Sequence, residues 1–229
     1  MVSLCGSFTD ADIARLEDRF SRMTPGRPGR FRKTVYTPGV VLKRKATEQN
    51  HFCLTWPGLP EGSEERFAWQ VLSMVLGGGM SSRLFQTVRE RHGLCYSISS
   101  FTASFADTGI FGVTTAVGRD SEEKALSLVR QEIDLLLDSG ITDRELSRSR
   151  EQIKSGVVLS MESTSARMNR LGSAMLYQGR CLTADEIIER YNAVTAEDVL
   201  ALARRTFTPE GLGFSAVGRL ADPERYLRQ

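Results

Sequence analysis

The sequence predicts an α+β protein, in which a sheet and a set of helices form separate layers. Short apolar runs bordered by turn residues lie mainly in the first half of the chain. Amphipathic helical patterns with capping signals dominate the second half. Of the 229 residues, 41% are hydrophobic and 25% are charged, which is typical of a globular chain and excludes a disordered or fibrous one.

Most of the predicted helices begin at a capping signal, a Thr followed three residues later by an acidic residue. The four pairs are Thr9 with Asp12, Thr142 with Glu145, Thr183 with Glu186, and Thr195 with Asp198. A further helix is expected to open at Asp120 and to end at Gly140. The glycines at 77–79 end an earlier helical pattern, and the helix that follows them is expected to stop at Gly93.

Five short runs have the composition of strands. They are Val40–Leu42, Phe52–Trp56, Leu94–Phe105, Ile110–Val117 and Leu212–Val217. The turn residues Asp107–Gly109 lie between two of these runs, so the sequence predicts a hairpin there.

A nine-residue pattern occurs twice, at Val2–Asp10 and at Phe214–Asp222. Each copy is typical of a strand, a glycine turn and the start of a helix. Residues 25–30, rich in Pro and Gly, are typical of a linker. We therefore expect residues 1–24 to be the tail of a preceding homologous domain, and residues 31–229 to form the domain proper.

Charge and cysteine content exclude several classes of protein. The net charge is only +2, and the basic segment Arg27–Lys45 is interrupted by prolines and glycines, which argues against nucleic-acid binding. No uninterrupted apolar run is long enough to span a membrane, and the first residues do not resemble a signal peptide. The four cysteines form no CxxC pair, so reduced thiols and a cytoplasmic location are expected.

The glycine-rich segment lacks the spacing of a phosphate-binding loop, and no GxSxG motif indicates a serine hydrolase. On chemistry alone, it is best explained as a tight corner between two helices. A zinc site formed by His51, Cys53, His92 and Cys95 is an alternative, since these residue types bind zinc. The wide separation of the two pairs does not favour it.

Two runs, at 76–86 and 88–97, have the sequences LGGGMSSRLFQ and VRERHGLCYS. Together they resemble the C-terminal half of the M16 (insulinase/pitrilysin-like) zinc peptidases, which include the mitochondrial processing peptidase. Residues 56–60, 105–109 and 142–207 also fit that resemblance. It implies an antiparallel sheet with helices packed on one face, the LuxS/MPP-like metallohydrolase fold.

The resemblance further implies a two-part enzyme that cleaves peptides. Its N-terminal half, or a partner subunit, would carry zinc in an HxxEH motif, where the metal activates water and the Glu acts as general base. This chain has no HxxEH and would be inactive alone. The resemblance implies Arg83 and Tyr96 as the catalytic, substrate-binding residues, and strand position suggests Ser97, Phe101 and Phe105 along the cleft.

A second possibility is a non-catalytic structural or interaction subunit with the same fold. A surface made for the missing half could also support a homo-oligomer.

Overall fold

The computed structural model describes residues 1–24, 26–27, 29 and 32–220. The predicted linker at 25–30 is therefore described only in part. The predicted domain at 31–229 is described from residue 32 to residue 220, and the end of the second repeat copy lies outside the described residues.

A five-stranded sheet forms the centre of the protein. Its strands are β1 (Val40–Arg44), β2 (Asn50–Gly58), β3 (Cys95–Ser104), β4 (Gly109–Val117) and β5 (Gly213–Gly218). Their order is β1-β5-β2-β4-β3. All neighbouring pairs are antiparallel except β1 and β5, which are parallel. The expected antiparallel sheet thus has one parallel pair, because β1 and β5 are far apart in the sequence and no hairpin sets their relative direction.

The helices follow the sequence prediction closely. They are α1 (Asp10–Ser21), α2 (Arg66–Gly77), α3 (Glu122–Ser139), α4 (Asp143–Ser160), α5 (Thr164–Gln178), α6 (Ala184–Ala193) and α7 (Ala196–Thr206). Capping boxes form at all four predicted threonines. The start predicted at Asp120 is two residues early, because a single 3₁₀ turn precedes α3. No helix in the part of the chain that the structure describes is long and apolar enough to cross a membrane.

The two faces of the sheet differ sharply in exposure. Side chains such as Phe52, Leu54 and Val113 point towards the helices and are almost fully buried. An edge-to-face chain of aromatic rings, with neighbouring centroids 5.1–5.2 Å apart, joins the sheet to α2 and to the end of α7. Its members are Trp56, Phe207, Phe111 and Trp69. The helices therefore cover this face, as predicted.

The opposite face is largely exposed, and we call it the open face. It is defined by His51, Cys53, Thr114, Ser99 and Phe101, which alternate with the buried positions on β2, β4 and β3. Among the residues that the structure describes, helices cover only the other face, so these side chains are available to a ligand or to another protein.

The strand predicted in the first repeat copy does not form. Residues 2–5 have no regular structure, and the expectation was wrong because a strand needs a neighbour and no described strand pairs with this segment. The helix predicted after it does form, but α1 buries none of its residues.

Candidate functional site

A β-bulge at the start of β3 determines how Tyr96 is presented. The pairing of β3 with β4 shifts between Cys95 and Ile98, and both of these residues are buried. The two residues between them, Tyr96 and Ser97, are both exposed, and Tyr96 is 79% exposed. Bulges often redirect a side chain in this way. Here the bulge directs the Tyr96 ring away from the core.

The segment before β3 is a π-helix, Phe85–Arg91, of a kind that often occurs at functional sites. It is fixed by the buried side chain of Val88, and the turn that follows it contains Gly93, whose φ of +61° favours glycine. This helix brings the Arg89 guanidinium 5.2 Å from the centre of the Tyr96 ring and 4.6 Å from that of Phe85. Arg89 is therefore the arginine that lies beside Tyr96.

Arg83, the arginine that the resemblance pointed to, lies in a different environment. Its Nε donates to Glu145 Oε1 at 2.7 Å, and its terminal nitrogen donates to Glu145 Oε2 at 2.9 Å and to the Gly140 carbonyl at 2.8 Å. The Arg83 side chain is only 15% exposed. This bidentate pair ties the segment after α2 to the start of α4, which is a structural arrangement.

The pair also changes the acidity of Glu145. Burial acts to raise the pKa of the Glu145 carboxyl, but hydrogen bonds from Arg83 and Thr142, together with the Arg83 charge, outweigh burial. The pKa falls from the usual 4.5 to about 2. Glu145 is thus ionised throughout the physiological range and holds Arg83 in place.

The other predicted residues spread along β3. Ser97 lies in the bulge, where its carbonyl accepts a hydrogen bond from Thr115 Oγ1 at 3.0 Å. The Phe101 ring lies over Gly112, where any side chain would collide with it. Phe105 follows the far end of the strand and lines a separate cavity of about 330 Å³ with Thr34 and Tyr36. Tyr96, Ser97 and Phe101 therefore share one surface, and Phe105 lies at its distal end.

Arg89 was missed by the sequence prediction, and the reason is geometric. The resemblance pointed to Arg83, and the sequence predicts an ordinary α-helix that stops at Gly93. A π-helix has wider turns, with hydrogen bonds from i to i+5, so the direction of each later side chain changes. The available signal was an arginine seven residues before Tyr96 in a segment that ends at a glycine.

The residues present do not fit zinc. Cys53 lies on the open face, whereas Cys95 is buried on the helix-covered face, so the four-residue site considered above does not form. Burial raises the pKa of both thiols, which opposes the thiolate form that zinc requires. Among the described residues, no three His, Cys, Asp or Glu side chains are grouped as metal ligands would be.

Comparison with known proteins gives a consistent result. The chain is 41% identical over 201 residues to an uncharacterized zinc protease of Streptomyces coelicolor, covering 87% of this chain and 44% of that protein. It is 38% identical over 211 residues to an uncharacterized zinc protease of Bacillus subtilis, covering 92% and 52%. The chain thus spans about half the length of the curated relatives it matches.

Solved structures show the same fold. A peptidase M16 inactive domain from Pseudomonas fluorescens matches with a TM-score of 0.81 and 19% identity, over 93% of this chain and 52% of that one. A chain of Complex III2 from Candida albicans matches with a TM-score of 0.83 and 18% identity, over 96% and 56%. A family model described as Peptidase M16 inactive domain matches residues 1–153. The chain therefore belongs to the M16 peptidase family, in which it corresponds to the inactive, C-terminal type of domain.

Proposed function

We propose that this chain is the substrate-binding half of a zinc endopeptidase, and that it acts on peptides together with a zinc-bearing N-terminal half or partner subunit in the cytoplasm. The observation that carries the proposal is the contact between the exposed Tyr96 ring, at the start of β3, and the Arg89 guanidinium, which lies 5.2 Å from the centre of that ring. The curated relatives are named as zinc proteases, and each is about twice as long as the region that matches this chain. Both facts support a peptidase with a second half.

Tyr96 is suited to contact a peptide carbonyl. Its hydroxyl can donate a hydrogen bond, and the side chain is exposed on a strand that is itself fixed in the sheet. Arg89 adds a positive charge beside the ring, and its side chain is 34% exposed. Together they would bind a carbonyl oxygen and stabilise the negative charge that develops on it during hydrolysis.

The remaining predicted residues have supporting roles in this proposal. Ser97 and Phe101 would line the cleft beside Tyr96, and Phe105 would contact the peptide further along. Arg83 is a positioning residue, because its polar atoms already bind Glu145 and Gly140. It would hold the segment from which the π-helix starts.

The N-terminal segment supports the presence of a preceding half. Val2, Leu4, Phe8 and Phe20 are 41–48% exposed, although they form one apolar surface with Leu16 around a cavity of about 300 Å³. The matched glycines of the repeat, Gly6 and Gly218, both have positive φ, +134° and +155°. We therefore propose that residues 1–24 complete a preceding domain built like this one.

The test is to produce this chain alone and together with the half encoded upstream, and to measure cleavage of a quenched fluorescent peptide. We expect no cleavage by the isolated chain. In the assembled protein, Tyr96→Phe should lower kcat/KM by about 10²-fold, the usual cost of losing such a donor. The matched control is Tyr177→Phe, on α5, which should leave kcat/KM unchanged.

Three further variants separate the roles of Arg89 and Arg83. Arg89→Met should lower kcat/KM at least tenfold, whereas Arg91→Met, an exposed neighbour, should not. Arg83→Met should lower stability and leave kcat/KM within a few-fold of the parent at a temperature where it is folded. If Arg83→Met abolished turnover in the folded protein and Arg89→Met did not, the resemblance-based assignment of Arg83 would be correct and ours wrong.

The non-catalytic subunit remains the alternative, because a similar fold occurs in a chain of Complex III2. A stable assembly of the two halves that binds no zinc and cleaves no peptide would favour that role over ours.

A further inference from the structure

A second cavity lies in the helical layer, and none of its lining residues belongs to the open face. It has a volume of about 260 Å³ and lies between α2, α4, α5 and α6. Its apolar wall is formed by Phe67, Val157, Leu182 and Ile187. The volume is below the ~300–1,000 Å³ typical of sites for drug-sized ligands, so it suits a smaller molecule.

The polar wall of this cavity carries two opposite charges that lack charged partners. The Arg170 Nη1 donates to the Leu182 carbonyl at 2.9 Å, and its Nε is buried without an acceptor. Glu61 lines the same cavity. In the part of the chain that the structure describes, neither side chain has an ion-pair partner within 4.0 Å. A buried donor without an acceptor is costly, and a bound carboxylate would satisfy the Arg170 Nε.

Neighbouring side chains fix the polar wall of the cavity. Arg66 lies 4.4 Å from the centre of the Phe67 ring and donates to Gln178 at 3.0 Å. Tyr191 is buried and donates its hydroxyl hydrogen to Gln70. Arg66 therefore adds a second positive charge to the lining of the cavity while remaining fixed by its own contacts.

We propose that this cavity binds a free α-amino acid with an apolar side chain. Arg170 would bind the carboxylate, Glu61 would bind the ammonium group, and the side chain would pack on the apolar wall. The amino acid is a zwitterion, so it carries an opposite charge for each of the two lining residues that lack a charged partner among the described residues. This proposal does not depend on the peptidase function, since it involves different residues in a different layer.

The test uses L-leucine, N-acetyl-leucine and leucinamide as probes of the 229-residue chain, with thermal unfolding as the readout. A ligand this small should bind with a Kd of about 1 mM. At about ten times that concentration, leucine should raise the Tm by about 4 °C. N-acetyl-leucine lacks the ammonium and leucinamide lacks the carboxylate, so each should raise it by less than half as much.

Substitutions of the cavity residues then show which side chain binds which group of leucine. Arg170→Gln should remove the leucine shift, whereas Arg167→Gln, on an exposed position of the same helix, should keep it. Glu61→Gln should make leucine and N-acetyl-leucine equivalent. Circular dichroism of each variant without ligand would show that it is folded.

Three results would overturn the proposal: no shift with leucine in the parent chain, an equal shift in folded Arg170→Gln, or equal shifts with leucine and N-acetyl-leucine in the parent. The last of these would indicate a general anion site.

Discussion

The Arg83–Glu145 pair yields the sharpest prediction for stability. Arg83→Met removes three hydrogen bonds and leaves a carboxylate that is 18% exposed without its cation. The lowering of the Glu145 pKa from 4.5 to about 2 corresponds to about 3 kcal/mol, which is the net effect of all its partners after the opposing effect of burial. Thr142 contributes part of this and solvent screens the rest, so we expect Arg83→Met to cost about 2 kcal/mol at pH 7.

The pH dependence of the stability loss shows whether that loss comes from the ionised Glu145 carboxylate. Because folding lowers the pKa of Glu145, its stabilisation is fully present above pH 4.5 and is lost as the pH falls towards 2. Urea unfolding of the parent and of Arg83→Met should therefore differ most at pH 7, by less at pH 3, and by less than half as much at pH 2.

The control for this comparison is Arg144→Met, an exposed arginine of α4, which should change the free energy of unfolding by at most about 0.5 kcal/mol. If Arg83→Met cost less than this control, or if its cost were the same at pH 7 and pH 3, the ion pair would not stabilise the fold as argued.

Two other predictions concern the fold. Phe207→Ala removes the ring that contacts both Trp56 and Phe111. It should lower the free energy of unfolding, measured by urea titration, by about 3–5 kcal/mol. A loss below about 1 kcal/mol would show that these rings do not join the helices to the sheet. Gly218→Ala places a methyl group at a φ of +155° and against Asn50, and it should cost about 1–3 kcal/mol by the same assay. An unchanged unfolding midpoint would show that the turn tolerates a side chain.

Local sequence signals predicted the helices well because capping is a short-range interaction. Each of the four predicted capping boxes forms, and Gly140 ends α3 with a φ of +71°. The parallel pairing of β1 with β5 could not be predicted this way, since it depends on contacts between distant parts of the chain. The strand expected at Val2–Cys5 failed for the same reason, because its formation needs a neighbouring strand.

The candidate site also depends on structural features that local sequence signals do not show. The exposed position of Tyr96 depends on a bulge, and alternation along β3 without that bulge would place Tyr96 with the buried Ile98. Arg89 depends on a π-helix that no periodicity indicated. The resemblance pointed to the segment that contains Arg83 and Tyr96, and the structure shows that Arg89 is the arginine that lies against Tyr96.

The most direct test of the central claim, that the surface around Tyr96 binds the peptide, is photo-crosslinking in the assembled protein. A photoreactive phenylalanine analogue would replace Tyr96, or Tyr177 as a control, and a labelled substrate peptide would be added. We predict crosslinking at Tyr96 that excess unlabelled peptide suppresses, with none above background at Tyr177. Equal labelling at both positions, or labelling that the competitor does not reduce, would contradict the account.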